Sequence, residues 1–494
     1  MKLTKQYTHL LFSFLRSHKF LLFLSLTLAV AQGLQAQTSR TIALDLDSIA
    51  SSLAAAPMEF SNEAQANPLL FSLPLPEGGD LLFKVVESPI MSADFAAAFP
   101  NIRTYSVQAV EKPAVQGRLT VSPNGLFGVI FTSTGMANIH PVDLLDPVLH
   151  EVTYEVDLAG AVCNFDEIGN LFKAEEGTPK NSISNGATRR TYEMAIVATG
   201  EFYNANGATV PAATAVVTAS VNSIQAIYDR ELAVRFTLLT PVIYTNPATD
   251  PFDPAGNRTL QAAETVAANF PIGTYDIGHA FHTYTSGGSG VAALGVVCDN
   301  SSYAPISGTG PMKAAGWSGN SSNTSNGWIQ LSSHEFGHMF NMKHTFNGTG
   351  GSCTSNISST TAYEIGSGTS IMSYSSSCQA DNNIPESGVA DNYFHANSLE
   401  AAHTYISGET CHTAASTGNT PPVVNANPCG GSHTIPKSTP FTLTGSATDA
   451  NNDVVYYSWE QYDEDGTGTP TQGYIGSTAA GSSIAPLFRS YPPT

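Results

Sequence analysis

The sequence predicts an α/β fold: a central domain built on a mixed twisted sheet, preceded by a mixed α/β region and followed by a β-sandwich module. Three observations lead there. From Tyr192 onward, apolar runs of strand length alternate with runs of helical period. Before that, period-two stretches are broken by Pro and Gly, and after about Ala414 only strand-like patterns occur. A chain of 494 residues has room for about three domains at roughly 150 residues each. Its 40 acidic and 20 basic residues give a formal charge of −20, and no cluster of Lys or Arg is dense enough to follow a phosphate backbone. Nucleic-acid binding is excluded on that ground.

The elements follow in order. Lys2, Lys5, Arg16 and Lys19 precede the apolar run Phe20 to Ala31, with small residues at Ala31 and Ala36, so residues 1–36 read as a secretory signal. The run is shorter than the roughly 20 residues a membrane span needs. The mature chain is therefore expected to be secreted, extracellular or at the cell surface, without a membrane span. In that oxidising setting the cysteines at 163, 298, 353, 378, 411 and 429 read first as disulfides, and none has CxxC spacing. Residues 37–190 carry strand patterns at Leu81–Glu87 and Val152–Asp157 and end in a polar linker from Thr178. Arg189-Arg190 at its end is expected to be protease-sensitive on an exposed connection.

The central domain, 191–413, is expected to run strand (192–198), helix (213–236), strand (241–244), helix (259–270), strand (275–283), a Gly-led strand (287–298) and a last helix near 397–407. A linker at 414–422 leads to 423–494, where strands at 440–448 and 454–459 suggest a partial, Ig- or PKD-like sandwich. The sequence ends with too few strands to close such a fold, so this module is expected to be truncated.

The segment that carries chemistry is Leu331-Ser-Ser-His-Glu-Phe-Gly-His-Met-Phe-Asn-Met-Lys-His-Thr-Phe346. His334 and His338 stand one helical turn apart and share a face, where both can reach one zinc ion beside Glu335. A break near Asn341 lets the chain return His344 as a third ligand, and three protein ligands leave a fourth position for water. Downstream, Gly366-Ser-Gly-Thr-Ser-Ile-Met-Ser-Tyr374 places Met372 after a tight turn, where it can form an apolar floor under the imidazoles.

These residues resemble the metzincins, whose pattern is HExxHxxGxxH followed by a Met-turn, and within them the reprolysin (adamalysin-like) family. The likeness to secreted bacterial reprolysin-like peptidases extends through Tyr192-Glu-Met-Ala-Ile-Val-Ala-Thr-Gly-Glu201, Tyr275-Asp-Ile-Gly-His279, the Gly-rich strand to Cys298, His344-Thr-Phe-Asn347 and Tyr393-Phe-His-Ala396. Lys84-Val-Val-Glu-Ser-Pro-Ile-Met91 is similar to their propeptides. One residue departs from the pattern: Asn341 stands where the family has Gly, and Asn is the residue after Gly that best tolerates a left-handed backbone.

The resemblance implies a zinc metalloendopeptidase made as a zymogen, acting on proteins or peptides as a monomer. In it His334, His338 and His344 hold zinc and Glu335 is the general base. Tyr374 either stabilises the oxyanion, as a Tyr does in serralysins and astacins, or simply packs. The disulfides implied are Cys298–Cys411 and Cys353–Cys378. Cys163 is left in the propeptide, as a latency thiol toward the zinc or as a buried free thiol. Glu193 and Asp276, with the carbonyl of Cys411, match positions that hold structural Ca2+ in some reprolysins. The alternative function is a secreted adhesion or binding protein on an inactive zincin scaffold; the retained ligands and base argue against it.

Overall fold

The computed structural model describes residues 39–154, 161–163, 183–302, 309–375, 377–378, 391–427, 430, 434–436, 439–462 and 489–493. The signal segment at 1–36 and residues 178–182 of the expected linker lie outside the described residues.

The N-terminal region is one antiparallel sheet. Its strands are β1 (Ser39–Ala43), β2 (Leu69–Pro74), β3 (Asp80–Glu87), β4 (Arg103–Ala109), β5 (Gln116–Ser122), β6 (Gly125–Phe131), β7 (Met136–Pro141) and β8 (Leu149–Thr153). The order is β1-β8-β7-β6-β5-β4-β3-β2, a meander closed by β1. The helices are short: α1 (Leu46–Leu53), α2 (Asn62–Ala66) and α3 (Ala93–Ala98), capped by Asp45, Ser61 and Ser92. This region is thus more strongly β than the mixed α/β reading.

All seven residues of β6 are buried, and the pleat explains how. Leu126 and Ile130 enter a core with Phe83, Tyr105, Leu119 and Ile139, while Phe127, Val129 and Phe131 point the other way into the core of the central domain.

The central domain contains β10 (Thr188–Ala198), α4 (Gly200–Ala205), α5 (Val210–Leu232), β11 (Val234–Leu238), β12 (Val242–Ile243), α6 (Arg258–Asn269), β13 (Ile277–Thr283), β14 (Gly288–Ala292), β15 (Gly316–Asn320), α7 (Asn326–Met339), α8 (Ala396–Gly408) and β16 (Thr413–Ser416). A short strand from the N-terminal region, β9 (Ala161–Cys163), joins the same sheet, whose order is β11-β10-β13-β15-β14-β9. β10, β11, β13 and β15 are mutually parallel where paired, β14 runs antiparallel to β15, and β9 runs parallel to β14. The sheet is mixed, as expected.

Helix α5 starts on Thr209, whose hydroxyl accepts from Ala212, and ends at Ala233 in the left-handed conformation. Among the described residues it is the one helix long and apolar enough to cross a membrane, but 89% of its apolar window is buried inside the protein. Its apolar surface is covered by the sheet and the helix α7, with Tyr228 donating to the carbonyl of Ser333 at 2.9 Å and the Trp328 indole donating to Ser220 at 2.8 Å.

Arg189 and Arg190 do not lie on an exposed connection: they sit within β10, with Arg190 in register with Val234 on one side and Ala414 on the other. Such a doubly paired strand cannot enter a protease cleft without unzipping. The start of the expected linker at 414 is likewise strand β16, laid on the first half of β10. In the tail, β17 (Val423–Asn425) and β18 (Ser446–Thr448) form a two-stranded ladder. The expected strand at 454–459 does not form, and no sandwich is seen among the described residues.

Candidate metal centre

Helix α7 carries the first two histidines. Ser325 caps it by accepting from the amide of Trp328 at 3.2 Å, and every residue of the helix is buried. The helix stops at Phe340 because Asn341 turns left-handed, with φ 71°, a conformation that Asn tolerates better than other non-Gly residues. The amide of Met342 then returns to the carbonyl of Gly337 at 2.9 Å, and the chain doubles back to bring in His344.

The hydrogen bonds of the three imidazoles decide their tautomers. Nδ1 of His334 lies 2.7 Å from the carbonyl of Ile371, Nδ1 of His338 lies 2.7 Å from that of Met342, and Nδ1 of His344 lies 2.6 Å from that of Asn356. A carbonyl only accepts, so each Nδ1 donates and each Nε2 keeps a lone pair. Nε2 of His334 and Nε2 of His344 face one another at 3.1 Å. Two neutral imidazoles with opposed lone pairs repel, and a shared cation removes that repulsion. The three side chains offer ligand atoms within 4.8 Å of one another, the only such group of His, Cys, Asp or Glu among the described residues. The donor set therefore fits a metal ion of zinc type.

Burial is the main cause of their acid–base behaviour. It lowers His334 to about 4. It also holds His338 and His344 well below the ordinary value, with the neighbouring imidazoles adding to the effect. Protonation that would be expected near pH 6 in an exposed site is thus displaced to stronger acid.

Glu335 is fully buried beside the histidines. Gly290 of β14 lies so close that a methyl group there would collide with the Glu335 carboxylate, so the glycine lets the edge strand pass over the acid. Gly337 serves the same purpose on the other side of the helix, where a methyl group would strike the sulfur of Met372. Met372 is buried with Ile371 beneath the site. Tyr374 packs its ring 4.8 Å from that of His344 and 4.5 Å from that of Phe346.

Both implied disulfides are present, Cys298–Cys411 and Cys353–Cys378. The second holds the loop beneath the third histidine, because the amide of Asn356, whose carbonyl receives His344, donates to the carbonyl of Cys353 at 3.1 Å. That carbonyl was not legible in the sequence, since a backbone acceptor carries no residue signature. Cys163 lies at the register position opposite Gly290, on strand β9. The Gly-led strand is shorter than expected, ending at Ala292; the amide of Val296 turns to the carbonyl of Met339 at 2.9 Å.

Glu193 and Asp276 are adjacent, and the Asp276 carboxylate accepts from the amide of Glu193 at 2.9 Å. Burial first, then Asp276, raises the pKa of Glu193. Calcium finds no support there. The nearby cation is Lys313, whose ammonium donates to the carbonyls of Ile272 and Tyr275 at 2.6 Å each and attracts Asp276.

Residues 188–404 match the model of metallo-peptidase family M12B, reprolysin-like. These residues are similar to reprolysin-like metallopeptidases. Metalloproteinase-II from Bacteroides fragilis has a similar crystal structure, at a TM-score of 0.40 and 10% identity, over 73% of this chain and 96% of that one. No curated protein matches this chain. The central domain thus brings together His334, His338, His344, Glu335, Met372 and Tyr374 from α7 and the two segments that follow it.

Proposed function

We propose that this protein is a secreted zinc metalloendopeptidase, made in latent form, that hydrolyses peptide bonds in extracellular proteins. The observation that carries the reading is the convergence of three Nε2 lone pairs, each imidazole fixed by a backbone carbonyl, beside the buried acid Glu335. Zinc bound by His334, His338 and His344 would lower the pKa of water and polarise the scissile carbonyl. Glu335 takes the proton of the attacking water and delivers it to the leaving amine. It is no metal ligand in this scheme. Met372 and the carbonyl of Ile371 keep His334 in place. Tyr374, in ring contact with His344, is within reach of an oxyanion role if its hydroxyl swings toward the substrate.

An extended peptide would add to β14, with main-chain hydrogen bonds giving affinity along an edge that passes over Glu335. Strand β9 already occupies that edge, from Ala161 opposite Gly288 to Cys163 opposite Gly290. This supports latency, because the segment must leave before a substrate strand enters. Because β10 is zipped to β16 from Thr188 onward and Thr417 holds the carbonyls of Gly186 and Ala187, the maturation cut is expected upstream of Gly186. N-terminal sequencing of the active form checks this, and a start at Thr191 would reject it.

The decisive test uses the full chain after maturation, with casein hydrolysis and zinc content measured together. Wild type should carry one zinc and lose activity to a chelator; Glu335→Ala should keep the zinc and lose at least about 100-fold in kcat. Wild type that holds zinc but cleaves no peptide in a broad library would favour the inactive scaffold instead.

A further inference from the structure

We infer that Glu364 is a positioning residue for the metal centre, fastening the turn that carries Met372 to the segment that carries His344. This rests on the metallopeptidase reading of the site. Glu364 is the only charged residue between Thr345 and Ala380, in a stretch otherwise rich in Ser, Thr and Gly, and it is 3% exposed. A carboxylate is costly to bury unless its lone pairs are filled. Here four donors fill them. The amides of Thr369 and Ser370 donate to Oε1 at 3.0 Å each, and the hydroxyls of Thr345 and Ser370 donate to Oε2.

The donors come from two segments, one continuing from His344 and the other carrying the carbonyl that orients His334. Thr345 follows His344 directly, and the main chain repeats the tie, with the amide of Glu364 on the carbonyl of Thr345 at 2.7 Å and the amide of Asn347 on the carbonyl of Glu364 at 3.0 Å. Ser370 precedes Ile371, whose carbonyl receives Nδ1 of His334, and then Met372. One buried carboxylate thus fixes the segments that orient two of the three imidazoles. A charge suits this task because charge-assisted hydrogen bonds are about twice as strong as neutral ones, and two oxygens can hold four donors at once. Groups that hold ligands from behind typically govern metal affinity by about 10- to 100-fold.

The test compares wild type, Glu364→Gln, Thr345→Val and Ser370→Ala in the full matured chain. It reads zinc release to a chromogenic chelator, thermal unfolding, and kcat and KM on a peptide. Glu364→Gln keeps the shape but removes the charge; it should release zinc about tenfold faster, with kcat lowered and KM unchanged. Thr345→Val and Ser370→Ala should each release it a few-fold faster. A role in stability alone would lower the melting temperature and leave zinc release at the wild-type rate, and that result in folded Glu364→Gln would overturn the inference. If Glu364→Gln does not fold, the two hydroxyl variants decide, and wild-type release from both would overturn it equally. Wild type that carries no zinc would instead defeat the metallopeptidase reading, and this inference with it.

Discussion

Asn341 shows how much one backbone angle controls. The helix must end within three residues of His338 for His344 to return, and a φ of 71° at Asn341 makes that reversal. Asn pays less than most residues for a left-handed backbone, which is why the departure from the family's Gly leaves the ligands in place. Asn341→Ala is expected to destabilise the protein by about 1 kcal/mol, and Asn341→Gly to fall within about 0.5 kcal/mol of wild type. Urea denaturation of the two variants measures the difference; equal stabilities would mean that the turn relaxes to another conformation. The histidines and Glu335 were legible in the sequence because side-chain type and helical spacing alone limit what they can do. The three carbonyls that fix their tautomers were not, since backbone acceptors are brought in by loops from Ile371, Met342 and Asn356.

Strand β13 carries two histidines that take no part in the metal centre. His279 lies against the ring of Phe336 and pairs with Ser318 at 2.8 Å; His282 pairs with Thr199 at 3.0 Å and stands 3.6 Å from Glu201. Burial lowers both to about 3, with Arg258 adding to the effect at His282. Their unfolded pKa is about 6.5, so below that pH the unfolded chain binds more protons than the folded one. The stability they contribute is complete above about pH 6.5 and is lost as pH falls toward 3. Each histidine should cost ~1.4 kcal/mol per pH unit across that window. Urea denaturation at pH 7, 6 and 5 should therefore show a steep loss, less steep by about that amount in His282→Asn; parallel profiles would contradict the assignment. That 275–283 forms a strand was legible in the sequence, whereas the polar partners of its histidines come from α4, β15 and the residue preceding α4.

Across the whole molecule, the N-terminal sheet and the central domain share one core. Phe127, Val129 and Phe131 of β6 belong to it together with Val216, Val217 and Ile224 of α5. The buried guanidinium of Arg118 on β5 donates to Asn222 of α5 at 2.6 Å and to the carbonyl of Ser88 at 2.9 Å, and Asn222 donates back to the carbonyl of Leu119 at 2.8 Å. Removing the acceptor leaves a buried charge short of a partner. Asn222→Ala should destabilise the full chain by about 3 kcal/mol in thermal or urea unfolding. A loss below about 0.5 kcal/mol would show that water or another group replaces Asn222. The same shared core explains why excising the domain at Thr191 would cut through β10 and uncover apolar surface on α5.

The sequence by itself determined the alternation of strands and helices, the zinc-type triad with its adjacent acid, and the Met-turn. All of these are local: they depend on periodicity, on spacing within a turn or two, and on the few residue types that perform such chemistry. The tertiary structure alone decided that Arg189 and Arg190 lie inside a paired strand, that β9 covers the edge of β14, that Glu364 gathers donors from two segments, and that Arg118 is buried against acceptors distant in the chain. Those facts depend on which segments meet. A single sequence records the donors and acceptors but not their pairing, because hydrogen-bond partners far apart in the chain leave no period to read.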